Sequence, residues 1–273
     1  MKPDRLSLLA LLLLAACQRP EAKPLARPRL DTPGQTRVDA AIPEDAEVAA
    51  FIAPRTAEVR ATFEQPLVVA SDALARGRDG AENLLGYWIC DALRARAEKL
   101  VGRPVPFAIA NRGGIRRDLK AGQLKVGDIF EVMPFENELI LIELTGAELV
   151  QVMREGLQSR GGEPISGVKA VVKGDPSGAD LTLTWADGRA IDPKETVLVA
   201  TSDYLYGSGD TMPTLKKGRK PFTTGLTIRQ VLLDVCKDLQ DQHRALAAPQ
   251  GGRYDIPPSL VEALAHRQPI VIR

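Results

Sequence analysis

Residues 82–100, ENLLGYWICDALRARAEKL, place Leu85, Trp88, Ile89, Ala92, Leu93, Ala97 and Leu100 at helical spacing. The pattern predicts an amphipathic helix with a wide apolar face, closed by Gly102 and Pro104. Such a face needs a second layer to cover it. Candidate strands lie at 64–71, 105–110, 137–144, 167–173, 179–185 and 195–202. These runs are short, rich in Val, Ile, Leu or Thr, and bounded by Gly, Pro, Asp or Asn. Two more helices are expected behind capping boxes, Thr145-x-x-Glu148 and Thr227-x-x-Gln230, and residues 44–62 also read as helical. Helices and strands alternate early, then strands cluster between 137 and 202. That order predicts an α+β fold, a single mixed-sheet domain with packed helices, rather than a strict βαβ repeat. With no second composition shift from 44 to 273, that span reads as one domain.

Composition narrows the chemistry. At 26% charged and 44% hydrophobic residues the chain is ordinary globular protein. It has only two histidines, His243 and His266, both near the C-terminus. A two-metal hydrolase usually gathers several His and Asp ligands, and no H-x-D, H-E-x-x-H or G-N-H stretch is present. The same scarcity weakens a Ser-His-Asp reading, and no G-x-S-x-G elbow is present. Without a C-x-x-C pair, zinc ribbons and fingers are excluded too. No catalytic residue, metal ligand or cofactor is therefore assigned.

The N-terminus reads as an address. Lys2 and Arg5 precede an apolar run from Leu6 to Ala16, which is too short to span a bilayer but suits a signal peptide. The run ends in Leu14-Ala15-Ala16-Cys17, which resembles a bacterial lipobox. That resemblance implies a signal peptide over 1–16, cleavage before Cys17 and lipidation of that cysteine, with acyl chains as membrane anchor. Plain secretion with an incidental Cys17 is the alternative. Residues 17–43 carry five prolines and little apolar content, as a semi-extended tether would. The expected location is the bacterial cell envelope, on the periplasmic side, with Gln18 compatible with outer-membrane sorting. The chain's 36 basic and 35 acidic residues lose Lys2, Arg5 and Asp4 with the leader, so the mature net charge is zero. No basic field attracts a nucleic acid polymer. Cys90 and Cys236 fall on or beside apolar helix faces; an oxidising compartment would permit a bridge between them, and buried free thiols are the plainer reading.

Three loops can carry chemistry. Asn111-Arg112-Gly113-Gly114-Ile115-Arg116 follows the strand FAIA. Adjacent glycines allow close backbone approach, Asn offers donors and an acceptor to a base edge, and Arg presents a rigid fork. An ordinary Gly-Gly turn with solvated arginines fits the same residues. Met133-Pro134-Phe135-Glu136-Asn137 precedes the strand ELILIEL, with Phe135 either a core anchor or an exposed stacking platform. Ser202 to Asp210 follows the strand TVLVA, where Tyr204 offers a ring and Asp210 could accept from vicinal hydroxyls. A plain Gly/Asp turn is the blander alternative. The basic run Lys216-Lys217-Gly218-Arg219-Lys220 could meet phosphate or lipid headgroups, but short basic runs are usually solvated loops.

In this order and spacing the loops resemble those of the C-terminal, substrate-binding domain of the 5′-nucleotidase family. Asn111 to Arg116 is similar to the family's N-G-G-G-I-R, and Phe135 falls in a P-F-G-N-like stretch. Leu144-Thr145-Gly146 matches its L-T-G, and Ser202 to Thr211 resembles N-D-F-L-x-x-G-G-D-G. Glu82 to Ala92 resembles its E-x-N-L-G-N-L-x-x-D-A segment. The resemblance runs from Glu82 to Met212 and is expected to cover most of residues 60–245. It implies that Phe135 and Tyr204 sandwich a nucleobase, Asn111 touches the base, Arg116 contacts the ligand and Asp210 holds the ribose. A further arginine is implied upstream of Glu82, with Arg78 the nearest candidate.

The departures are Arg112 for a glycine, Tyr204 for phenylalanine, Ser208 and Thr211 for glycines, and Leu84 for an asparagine. The family's metal-dependent phosphoesterase domain has no counterpart in the residues before Glu82. The resemblance thus implies a lipid-anchored module for a nucleoside or nucleotide, acting in nucleotide catabolism with a separately encoded metallophosphoesterase. The alternatives are a 5′-nucleotidase-type phosphohydrolase acting alone and a scaffold that kept the fold without the ligand.

Overall fold

The helix expected at 82–100 forms as Leu84–Val101, and its partners assemble around it. The computed structural model describes residues 41–77 and 82–273. The leader, Cys17, the Pro-rich segment up to residue 40 and Arg78 lie outside the described residues. In chain order the elements are α1 (Ala46–Phe63), β1 (Pro66–Ala70), α2 (Leu84–Val101), β2 (Phe107–Ile109), β3 (Gly122–Lys125) and α3 (Val126–Val132). Next come β4 (Glu138–Thr145), α4 (Gly146–Arg160), β5 (Ile165–Ser166), β6 (Val168–Asp175), β7 (Gly178–Trp185) and β8 (Thr196–Ser202). The chain ends with α5 (Asp203–Ser208), β9 (Arg219–Thr227), α6 (Ile228–Asp241), β10 (Tyr254–Asp255) and α7 (Pro258–Ala265). Contacts divide the chain into one unit ending at Phe51 and another over Ile52–Arg273.

A mixed five-stranded sheet, ordered β5-β2-β8-β4-β9, forms the centre of the second unit. β2 and β8 are parallel, and the other pairs are antiparallel. Among the described residues the mixed sheet is accompanied by two small ones, β1-β3 and β10-β6-β7, in keeping with the expected α+β fold. Side chains of the central strands alternate between two separate apolar clusters, as a period of two requires. Ala108, Ala110, Leu139, Leu141 and Ala200 join α2 and α6 on one face. Phe107, Ile109, Ile140, Ile142, Val197 and Val199 join Leu149, Val152 and Met153 of α4 on the other. Both faces are covered, and each fully buried aliphatic side chain contributes roughly 1.5–3 kcal/mol.

The alanines of β2 and β8 leave room for α2 to pack closely. Leu85, Ile89 and Leu93 of that helix are fully buried, whereas Leu100, expected on the same face, stays exposed. Asn83 caps α2 by accepting the Gly86 N–H at 2.7 Å, and left-handed Gly102 ends it. Cys90 and Cys236 are buried free thiols in the α2–α6 cluster. Burial pushes the Cys236 thiol up to about 12.

The basic run at 216–220 is exposed, as expected, but is not a loop: it ends a 3₁₀ turn over Pro213–Lys217 and begins β9. Two of its cations pair with carboxylates on neighbouring elements. Lys220 meets Glu143 at 2.9 Å, and Arg219 donates to both Glu148 oxygens at 3.1 and 2.9 Å. β9 is an edge strand that contains Pro221, so it lacks the apolar alternation by which buried strands are recognised.

Glu148 also closes the capping box of α4, accepting the Thr145 N–H at 2.7 Å while Thr145 Oγ1 accepts the Glu148 N–H at 3.2 Å. Gly146 lets this helix end approach the β7–β8 loop, because a Cβ there would lie 2.1 Å from the Asp192 carbonyl oxygen.

The bidentate Arg219 partner, with the Thr145 hydrogen bonds, holds the Glu148 carboxyl down to about 2. Its unfolded value is about 4.3. A depressed carboxylate stabilises the fold fully above the unfolded value, and the contribution disappears as pH falls through the folded one. Glu148→Gln keeps a capping side chain but removes the charge. Thermal melts are expected to show a Tm lower by roughly 2–4 °C at neutral pH. The deficit should shrink as pH falls from about 4 toward 2. A deficit independent of pH would contradict this account.

Candidate functional site

Strand order brings three chain turns to one end of the sheet. β2 and β8 run parallel as neighbours, and β4 runs antiparallel to β8. The C-terminal ends of β2 and β8 therefore lie beside the start of β4. The turns there are those holding Asn111, Phe135 and Tyr204.

The first turn leaves β2 through extended Asn111 and forms one 3₁₀ turn, Arg112–Gly114. The Asn111 amide packs over Gly114, where a Cβ would stand 3.1 Å from Oδ1. Arg112 is buried rather than filling the cleft. Its N–H donates to Glu163 Oε2 at 2.6 Å and its Nη2 to the Gly162 carbonyl at 3.0 Å. Arg116 donates from Nη1 to the Gly113 carbonyl at 3.1 Å, with its guanidinium 5.9 Å from the Phe135 ring centre.

The second turn is clamped by Arg229 in the first turn of α6. This buried guanidinium donates to the carbonyls of Met133 and Phe135 at 3.3 and 3.5 Å, pairs with Glu136, and lies 4.3 Å from the Phe130 ring centre. The backbone is thereby held while the Phe135 ring remains 43% exposed. Exposure of an aromatic side chain on a fixed turn suits stacking rather than core packing.

The third turn begins at Ser202, whose hydroxyl accepts the Leu205 N–H at 3.1 Å and starts α5. Asp203 Oδ1 accepts the N–H groups of both Tyr204 and Glu138, at 2.7 and 3.0 Å, and so ties the third turn to the start of β4. Leu205 is buried, and Tyr204 is left 43% exposed. Gly209 and Asp210 then take left-handed conformations, φ 77° and 42°. Asp is among the few residues that visit this region readily. Ser208 and Thr211, which stand where the resembled family has glycine, have no positive φ to support. Ser208 also links the turn, donating to the Tyr204 carbonyl at 2.7 Å and accepting the Asp210 N–H at 3.1 Å.

All five residues singled out in the sequence, Asn111, Arg116, Phe135, Tyr204 and Asp210, line one cleft of about 280 Å³. Gly113, Gly114, Asn137 and Arg160 complete its wall. Asn137 lay inside a quoted motif but drew no role. Arg160, the last residue of α4, carried no motif at all. Behind the wall, Glu163 is buried, and burial raises its carboxyl above the ordinary range, against the opposing pull of the Arg112 N–H and of Arg160. The cleft can stack a planar ring, hydrogen-bond its edge and receive hydroxyl or anionic oxygens. Its lining holds one carboxylate, Asp210, and no histidine or cysteine, a donor set that does not fit a two-metal centre.

Known proteins share this fold. The cell wall protein Lmo0130 of Listeria monocytogenes is 30% identical over 189 residues, covering 64% of this chain and 24% of that protein. UshA of Escherichia coli is 28% identical over 129 residues, covering 46% of this chain and 23% of that protein. The chain thus spans about a quarter of either relative's length. The crystal structure of the 5′-nucleotidase precursor from Thermus thermophilus superposes with a TM-score of 0.64 at 22% identity, over 80% of this chain and 44% of that one. The pattern of the 5′-nucleotidase C-terminal domain matches residues 59–217, more than half of the sequence, and the chain belongs to that family.

Proposed function

We propose that this domain holds a nucleoside or nucleotide in the Phe135–Tyr204 cleft, as a lipid-anchored recognition module in nucleotide breakdown. The observation that carries the reading is the convergence of Asn111, Arg116, Phe135, Tyr204 and Asp210 on one cleft, from turns far apart in sequence. The base stacks on the exposed rings, Asn111 reads its edge, and Asp210 accepts from the ribose hydroxyls. Arg116 supplies a cation at the same wall.

The donor set of the cleft supports recognition rather than water activation, so phosphate release falls to a separately encoded metallophosphoesterase. The half-exposed rings and the burial of Arg112 favour an open site over an empty scaffold. In this reading Cys17 carries the acyl anchor, and the Pro-rich segment after it holds the domain off the envelope membrane.

Calorimetry with the full chain is expected to detect adenosine and AMP. Phe135→Ala should weaken both by roughly 5- to 150-fold, because stacking contributes ~1–3 kcal/mol per base. Asp210→Ala should weaken adenosine more than free adenine. No heat at millimolar ligand, or Phe135→Ala binding as tightly as the parent, would sink the proposal.

Steady phosphate release from AMP by the purified chain is not expected. Release that disappears in Asp210→Ala prepared identically would instead favour a hydrolase. Radiolabelled palmitate in the producing cells should enter the parent chain but not Cys17→Ser. Equal labelling of the two would remove the anchor from the proposal.

A further inference from the structure

The strongest feature that the proposed nucleotide site leaves unused is the pair at the end of α4. Arg160 is followed by two left-handed glycines, Gly161 and Gly162, at φ 71° and 109°. They fold the chain back so that Glu163 comes beneath the arginine. The Glu163 side chain has no exposed surface, and its Oε1 lies 3.8 Å from Arg160 Nε. The same carboxylate accepts the Arg112 N–H at 2.6 Å and the Thr211 hydroxyl at 3.4 Å. Its backbone carbonyl accepts the Tyr254 hydroxyl at 2.7 Å. One buried side chain thus joins the first turn, the third turn and the end of α4.

Arg160 is only partly held by this arrangement. Its side chain is 35% exposed and lines the cleft. Its Nη1 lies 3.4 Å from the position a Cβ on Gly113 would take. The Gly113 carbonyl is also the acceptor for Arg116 Nη1. Two guanidinium groups therefore flank one glycine at one part of the cleft wall. Among the described residues the Nη groups of Arg160 have no hydrogen-bond partner, while its Nε side faces Glu163. That leaves a planar pair of donors in the cleft, matched to a tetrahedral anion better than to a hydroxyl. Asp210 is the one carboxylate in the lining, and it is assigned to the ribose.

We infer that Arg160 is a ligand-contacting residue that binds the phosphate of a nucleotide, and that Glu163 is the positioning residue that aims its guanidinium into the cleft. The inference rests on the reading of the cleft as a nucleotide site and specifies which ligand it prefers. Arg160 acts on the phosphate, so its removal separates nucleotide from nucleoside. Glu163 acts through Arg160, so its effect requires the arginine to be present.

The test is calorimetry on the full chain with AMP and with adenosine, for the parent, Arg160→Gln, Glu163→Gln and the double variant. Arg160→Gln is expected to lose about tenfold or more in AMP affinity and less than about twofold in adenosine affinity. Glu163→Gln should show a smaller, AMP-selective loss, and the double variant should be no weaker than Arg160→Gln. An unchanged AMP-to-adenosine ratio in Arg160→Gln overturns the ligand contact. Equal losses for both ligands in Glu163→Gln, or an added loss in the double variant, overturn the positioning role. Arg160 is at the surface, so its variant keeps the test decisive even if Glu163→Gln fails to fold. A parent chain that binds neither ligand instead fails the nucleotide reading itself, and this inference with it.

Discussion

The pairing of β8 between β2 and β4 is the constraint on which the rest of this structure depends. β8 exchanges hydrogen bonds with a parallel neighbour on one side and an antiparallel neighbour on the other. Its side chains are shared by both apolar clusters, with Ala200 in one and Val197 and Val199 in the other. A shift of one residue would send valines toward α2 and alanines toward α4, exchanging two packing surfaces of different depth. The register that satisfies the core also fixes where the strands end. Three distant turns consequently meet at one end of the sheet without any direct requirement on the turns themselves.

Polar contacts then hold those turns at fixed separations. Asp203 links the start of β4 to the start of α5, Arg229 holds the carbonyls around Phe135, and Glu163 joins the first and third turns. The two anchors that are most buried, Arg229 and Glu163, have ionisable side chains. Leaving either without its partners would cost far more than a surface ion pair contributes. Such a frame lets Phe135 and Tyr204 stay half exposed although large apolar rings are ordinarily drawn into the core. An exposed ring on a rigid turn loses little entropy when a ligand stacks on it, which is what a recognition site requires.

Much of the fold was legible where one face of an element repeats. The spacing of Leu85, Ile89 and Leu93 marked α2, and the apolar runs marked β4 and β8. The Thr145 box marked the start of α4, whereas at α6 only the Thr227 half of the expected box forms, because the Gln230 side chain donates to Asp234 at 2.7 Å instead. The edge strand β9 escaped because Arg219, Lys220, Pro221 and Gly225 carry none of that repetition. The short strands β5 and β10 exist only through their neighbours. In the site, five residues were found through motif order, whereas Arg160 and Glu163 were not. A basic residue before two glycines is an ordinary helix ending, and nothing local indicates that the next carboxylate will be buried. Ser208 and Thr211 can replace glycines because the positive φ values of this turn fall on Gly209 and Asp210.

By itself the sequence determined the type of the strongly patterned elements, the starts of the main helices, the family, and five residues that line one cleft. These follow from local periodicity, hydrogen-bond chemistry and motif order, all of which act within a few residues of the chain. Only the tertiary structure decided that those residues share a cleft, that Arg112 lies behind its wall, and that Arg160 and Asn137 belong to it. Those outcomes depend on strand order and on buried hydrogen bonds between residues as far apart as Arg112, whose backbone N–H is the donor, and Glu163. Contacts at that separation are chosen by the packing of the whole sheet.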